Sequence, residues 1–160
     1  IQAVASQAGS GDYLIYPSQT HKKPDNPLPY EYKVEMMKKM FPWAKIESAA
    51  CCNTIIKVAQ DLMMKDYTDI VMVVGSDRVA DFDKILQKYN RQDFSFDTIK
   101  VISAGERDPD AEGASGMSAS KMRAAAKDVK STEFMSGIPD TLSVNEKMEL
   151  MAKVREGMGL

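Results

Sequence analysis

The 160 residues fall into blocks of apolar and polar positions whose period switches between that of a helix and that of a strand. The opening IQAVASQAGSGD places Ile1, Val4 and Ala8 on one helical face ahead of Gly9 and Gly11. It reads as the last turns of an amphipathic helix with a glycine stop. DYLIYPS (12–18) is a short, apolar, β-prone run that ends in turn residues, which predicts a buried strand. The following QTHKKPDNPLP (19–29) carries three prolines, so it should be irregular and exposed. In YEYKVEMMKKMF (30–41), Val34, Met37 and Phe41 recur at helical spacing and Pro42 ends the helix. A short strand is expected near 45–47.

Farther along, NTIIKVAQDLMMKDY (53–67) predicts a helix that turns Ile55, Ile56, Ala59, Leu62 and Met63 inward. TDIVMVVGSD holds an unbroken apolar run up to Gly75, the pattern of a strand buried on both faces. RVADFDKILQKYN predicts a helix with Val79, Phe82, Ile85, Leu86 and Tyr89 inward, and DTIKVISAG another strand. A polar, Gly-rich loop, ERDPDAEGASG, leads to Ser118, and Val144–Met158 forms a final amphipathic helix. Strands alternating with three-turn helices argue for βαβ units, a parallel sheet and one α/β domain over residues 1–160. In such sheets ligands sit beyond the carboxyl ends of the strands. Three polar loops (19–29, 75–78 and 105–120) are therefore expected to build one site.

The stretch GMSASKMRAAAKD (116–128) has the chemistry to serve there. Ser118 and Ser120 stand just before Lys121 and Arg123, at the mouth of an alanine-rich helix. A helix start has N–H groups without intrahelical partners and the positive end of the macrodipole. Ser118 is a good N-cap. With two cations added, the place suits an anion, phosphate above all. The same residues also make a capped surface helix with solvated charges.

Composition narrows the classes. Hydrophobic residues make up 44% and charged residues 28%, and the net charge of −2 argues against a general electrostatic hold on nucleic acid. No apolar run approaches the roughly 20 residues that span a bilayer. Cys51 and Cys52 are adjacent and His21 is the one histidine, so neither a disulfide framework nor a metal-ligand pattern is present. No protein metal site is expected, and a reducing cytoplasm is the expected setting. The sequence starts inside a helix with no Met or cap before it, which predicts a longer parent with further residues upstream.

Three stretches, in order, carry a resemblance. Met117-Ser118-Ala119-Ser120-Lys121-Met122-Arg123 resembles the I-S-x-T-x-x-R signature of the nucleotidyltransferases related to nicotinamide-mononucleotide adenylyltransferase and the cytidylyltransferases. NPLPYEYKVEMM (26–37) is similar to the N-P-F-x-x-x-E-R-I-x-M-I segment of archaeal-type adenylyltransferases. VVGSDRVADF (73–82) resembles the strand-ending G-S-D stretch that faces the nucleotide. SAGERDPDAEG and GMSASKMR are similar in wording to nucleotidyltransferase-like proteins of tailed bacteriophages, which would place the protein in the host cytoplasm.

The resemblance implies a Rossmann-like nucleotidyltransferase fold, a parallel sheet flanked by helices. It implies transfer of a nucleotidyl group from ATP or CTP, with Mg²⁺, to a small phosphorylated acceptor and release of pyrophosphate. Adenylyl transfer of the nicotinamide-mononucleotide type is favoured. Ser118, Ser120 and Arg123 would be catalytic, the hydroxyls on the triphosphate and Arg123 on its β- and γ-phosphates. Gly75, Ser76, Asp77 and Lys121 join them in binding the nucleotide, and Ser18 and Lys33 face the acceptor. Asp77 could instead cap the next helix, and Lys33 could point into solvent.

This chain departs from the family pattern in places. Ser120 stands for a Thr, and Tyr32-Lys33 for a Glu-Arg pair. The G-x-F-x-P-x-H-x-G-H stretch of the first strand is missing, and His21 lies in the wrong loop to replace it. The chain as given is therefore expected to turn over poorly or not at all. In the family's 3-2-1-4-5 order the missing strand is central, between DYLIYPS and DIVMVVG. The two strands should then close on each other, borrow a strand in a homo-oligomer, or leave a marginally stable fragment. Intermolecular help is favoured. A second functional class is a non-catalytic nucleotide-binding or structural module of a larger phage protein. A third follows from the kinship of MSASK with the K-M-S-K-S loop of class I aminoacyl-tRNA synthetases, but nothing in the sequence supplies an amino-acid pocket or a tRNA-binding extension.

Overall fold

The computed structural model describes residues 2–105 and 117–160. In chain order the elements are α1 (Gln2–Ala8), α2 (Tyr30–Met40), α3 (Ile55–Met64), β1 (Asp69–Val74), a 3₁₀ turn (Ser76–Arg78), α4 (Val79–Tyr89), β2 (Thr98–Ser103), α5 (Ala119–Lys127), α6 (Ser131–Ser136) and α7 (Val144–Met158). They divide between two compact units, residues 1–16 with 47–106 and residues 17–46 with 107–160.

The first unit is α/β. β1 and β2 pair in parallel, from Asp69 opposite Thr98 to Val74 opposite Ser103. Parallel strands need a crossover, and α4 supplies it, packing on β2 and on α3. Thr54 caps α3 by accepting the Lys57 N–H at 3.2 Å. The core gathers Ala59, Ile70, Leu86, Phe94 and Phe96. The two phenylalanine rings sit 5.6 Å apart at a tilt, a favourable aromatic arrangement.

The second unit is helical. The small side chains of Ala125 and Ala126 are almost fully buried and let α5 approach α6 and α7 closely, around Phe134, Leu150 and Met151. Arg155 of α7 donates to the carbonyls of Ala126 (2.6 Å) and Lys127 (2.8 Å), which end the α5 ladder. α7 opens on a capping box, in which Ser143 and Glu146 each satisfy the other's backbone N–H. It closes on Gly159, whose φ of 87° is the left-handed conformation that glycine adopts freely.

The mixed α/β class, with parallel strands joined through a helix, follows the alternation in the sequence, but the details correct several expectations. DYLIYPS is not a strand: among the described residues the sheet is β1–β2 alone. This run is instead tied down by the Glu47 N–H, which donates to the Ile15 carbonyl at 2.8 Å, and by side-chain bonds of Tyr16 to Asp61 at 2.5 Å and of Tyr67 to Asp12 at 3.1 Å. With no strand at 12–18, no central gap separates two strands; α1 packs on β1. The strand expected near 45–47 is reduced to a single bridge residue, Ile46. β1 is not covered on both faces, since only Ile70 is buried and Val71 is 44% exposed. In α2 the buried methionine is Met36 rather than Met37, and the helix ends at Met40. Ile1 and residues 106–116 of the loop ahead of α5 lie outside the described residues.

Candidate phosphate-binding site

Ser118 has the extended backbone of an N-cap (φ −115°, ψ 162°), and its Oγ accepts the Lys121 N–H at 3.0 Å. Its carbonyl starts the helical ladder by accepting the Met122 N–H at 2.8 Å. The Ser118 and Ser120 hydroxyls touch, 2.8 Å apart. Ser118 is half-buried, whereas Ser120 and Lys121 are exposed. The spacing that suggested a cap thus yields one, with two hydroxyls side by side over the first turn of α5.

One turn on, the Arg123 guanidinium reaches back to the 19–29 loop. Nη1 donates to the Asp25 carbonyl at 3.0 Å, and Nη2 lies 3.9 Å from the Asp25 carboxylate. Lys33 and Ser18, each expected to face the acceptor, touch one another: Lys33 Nζ donates to the carbonyls of Ser18 (2.7 Å) and Thr20 (3.3 Å). Lys33 therefore clasps the loop rather than pointing into solvent, and burial lowers the pKa of its ammonium. Ser18 takes part through its carbonyl, while its hydroxyl pairs with Thr20 Oγ1 at 3.3 Å. His21 is exposed in the same loop.

Ser18, Lys33, Ser118, Ser120, Lys121 and Arg123 belong to the helical unit; Gly75, Ser76 and Asp77 belong to the α/β unit. Gly75 follows β1 in an extended conformation, and Asp77 folds back over it. A Cβ at Gly75 would stand 2.7 Å from Asp77 Oδ1, so the glycine is what lets the carboxylate settle there. Asp77 makes no side-chain cap, the N-cap of α4 being Arg78, and its carboxylate is 80% exposed.

Two features had escaped the sequence. Asp25 lies 98 residues from Arg123, and nothing in local spacing links them. Asp61, in the apolar helix α3, is 8% exposed. It accepts from Tyr16 Oη at 2.5 Å and pairs with Lys65, which also lies 3.4 Å from Glu47. Burial works to raise the Asp61 pKa, but the bonds from Lys65 and Tyr16 outweigh it and hold the carboxyl below its usual range. Burial and the adjacent carboxylate push the Tyr16 phenol well up. The i,i+4 spacing of Asp61 and Lys65 was the available signal for this brace. No helix among the described residues is long and apolar enough to cross a membrane. No protein-family model, curated protein or solved structure matches the chain.

Proposed function

We propose that this chain is a nucleotidyltransferase that grips the triphosphate of ATP or CTP at the start of α5. It would pass the nucleotidyl group to a phosphorylated small molecule, with adenylyl transfer of the nicotinamide-mononucleotide type favoured. The observation that carries this reading is the pair of Ser118 and Ser120 hydroxyls, 2.8 Å apart at a capped helix start, with Arg123 one turn on. Helix N–H groups and the dipole favour an anion there, the hydroxyls donate to phosphate oxygens, and a guanidinium offers a planar fork. In the α/β unit, β1–α4–β2 is a parallel crossover of the sort that carries nucleotides beyond its strand ends, and Gly75, Ser76 and Asp77 follow β1. A Rossmann-like nucleotidyltransferase framework is the fold we assign to it.

In the reaction an acceptor phosphate oxygen bonds to the α-phosphorus while the bond to pyrophosphate breaks. Charge builds on the leaving oxygens, where Arg123 and the two serines stabilise it by position and electrostatics. Mg²⁺ arriving on the triphosphate supplies charge neutralisation, and such an ion takes one or two carboxylates besides phosphate and water. The Asp25 carboxylate, beside Arg123, has the donor chemistry for it.

Thermal shift with Mg²⁺ and ATP, CTP or GTP tests the site. The preferred triphosphate at 100 times its Kd should add about 2.7 kcal/mol of stability. Arg123→Ala should weaken binding by about 1.5–3 kcal/mol. A variant that binds as well as the parent refutes the assignment. The Arg123–Asp25 bond favours a second reading, in which the guanidinium is a brace and the chain a non-catalytic nucleotide-binding or structural module of a larger phage protein. Because the G-x-F-x-P-x-H-x-G-H stretch is missing, turnover should be slow or nil even in the first reading. Slow pyrophosphate release from ATP or CTP that needs a phosphorylated acceptor and is lost in Arg123→Ala would favour the enzyme over the module.

A further inference from the structure

The adjacent cysteines of the α/β unit stand apart from the phosphate chemistry. Their backbone is folded into a tight turn, in which the Cys52 N–H donates to the Ala49 carbonyl at 3.1 Å and the Asn53 N–H to the Cys51 carbonyl at 3.0 Å. Neighbouring side chains on a strand point to opposite faces. Here the turn brings both to one side, and the sulfurs lie 3.5 Å apart. Cys51 is exposed and Cys52 buried, its Sγ 4.0 Å from the Lys57 carbonyl. Burial, the Cys51 sulfur and the Asp61 carboxylate push the Cys52 thiol up to about 12, so it stays protonated at neutral pH.

Three chemistries can use a thiol pair, and the geometry separates them. A disulfide usually joins Cα atoms 4.4–6.8 Å apart, whereas neighbours across a trans peptide are held at about 3.8 Å. A Cys51–Cys52 disulfide would be strained and easily reduced. A divalent metal needs thiolates and commonly four ligands. Burial of Cys52 opposes the first, and among the described residues no three His, Cys, Asp or Glu side chains gather as a metal site. The remaining case is one atom that bridges two thiols. At a bond length of roughly 2.3 Å, that of Zn–S, such an atom would subtend about 100° between these sulfurs. That angle excludes a linear centre and suits a pyramidal one.

We propose that Cys51 and Cys52 form a bidentate dithiol site for a monosubstituted trivalent arsenical, in which exposed Cys51 bonds first and Cys52 closes the ring. An organic group fills the third position on arsenic, so two protein sulfurs suffice. Two As–O bonds break and two As–S bonds form. Each thiol proton leaves on oxygen as water, and neither arsenic nor sulfur changes oxidation state. The net exchange carries both thiol protons away in water, so the bound state requires no free thiolate at Cys52, while its raised pKa fits second-place closure after Cys51.

Intact-mass measurement with phenylarsine oxide tests the site on the parent, Cys51→Ser and Cys52→Ser, each challenged with rising glutathione. The parent should carry one adduct that resists glutathione and is stripped by 2,3-dimercaptopropanol. Closure of the second bond is intramolecular, at an effective concentration in the mM range. Both variants should therefore release the arsenical at glutathione concentrations at least about tenfold lower. The parent unfolded in urea keeps both thiols but loses the turn, and should also release it severalfold more readily, a comparison that holds even if a variant misfolds. A parent adduct as glutathione-sensitive as either variant, or an unfolded chain that holds arsenic as firmly as the folded one, overturns the proposal.

Discussion

Gly157 lies inside α7, where a helix interior ordinarily favours alanine by about 0.8–1.0 kcal/mol. Gly157→Ala should nevertheless destabilise the protein. A Cβ there would stand 2.1 Å from the Pro27 carbonyl oxygen, 2.7 Å from its carbonyl carbon and 2.8 Å from its Cβ. The first of these is well inside the 3.0 Å that Cβ atoms respect. Pro27 is buried, and neither a backbone carbonyl nor a pyrrolidine ring can rotate aside, so α7 or the 19–29 loop must move. Overpacking of this sort costs about 1–3 kcal/mol. A 2.1 Å approach to backbone belongs at the upper end of that range, so set against the propensity gain the net loss should be about 2 kcal/mol. For a chain of this size that lowers Tm by about 4–8 °C. The same loop carries Asp25, so the shift should reach Arg123 as well. Melting followed by circular dichroism, with amide exchange along α7, measures both effects. A Gly157→Ala protein as stable as the parent would show that the helix does not press on the loop.

Two further outcomes follow from the polar groups. Because the Asp61 pKa is held below its ordinary value of 3.8, the carboxylate adds stability that is fully present above that pH and is lost as pH falls through the lowered native value. Asp61→Asn should thus be less stable than the parent at pH 7, by about 1–3 kcal/mol for the loss of charged hydrogen bonds. The gap should narrow below pH 4 in denaturant titrations, and a gap independent of pH would contradict the ionic role. Ser143→Ala removes one half of the α7 capping box and should cost about 0.5–2 kcal/mol; unchanged amide exchange in the first turn of α7 would count against it.

What could be read in advance depended on whether the determining contacts were local. Val144–Met158 was legible to its ends, because its apolar stripe and closing glycine lie within or beside the element. The Ser118 cap was legible for the same reason. DYLIYPS misled because a strand requires a ladder: its tyrosines and leucine have β propensity, but its anchors are mostly side-chain bonds, of Asp12 to Tyr67, Tyr16 to Asp61 and Lys33 to the Ser18 carbonyl. The apolar run of β1 misled in another way. A continuous run implies two covered faces, yet in a two-stranded sheet Val71 stays exposed. Met36 and Met37 are identical neighbours, so only the packing of α2 on its unit chose between them. α6, at six residues, is too short to show a period. The contacts of Arg123 with Asp25 and of Gly157 with Pro27 join distant segments, and no spacing announces them.

The Arg123–Asp25 contact also bears on the energetics of the proposed phosphate site. The Asp25 carboxylate is 74% exposed and 3.9 Å from the guanidinium, a surface pair worth about 0–1 kcal/mol. Charged hydrogen bonds to a phosphate are worth about 1.5–3 kcal/mol, so an arriving triphosphate should win the guanidinium from the carboxylate. Asp25 then acts as a competitor: its negative charge occupies Arg123 before binding and repels the phosphates during it. Asp25→Ala removes both effects while leaving the backbone carbonyl that holds the loop. With inorganic triphosphate and no Mg²⁺, affinity should rise by up to about fivefold, the equivalent of 1 kcal/mol, and stability should fall by less than about 1 kcal/mol. Arg123→Ala moves affinity the opposite way, so the two substitutions together form a sign test in one calorimetric titration. If Asp25→Ala weakens triphosphate binding as Arg123→Ala does, the guanidinium works as a brace for the loop. The anion then depends on a shape the pair maintains, not on the charge that Arg123 supplies.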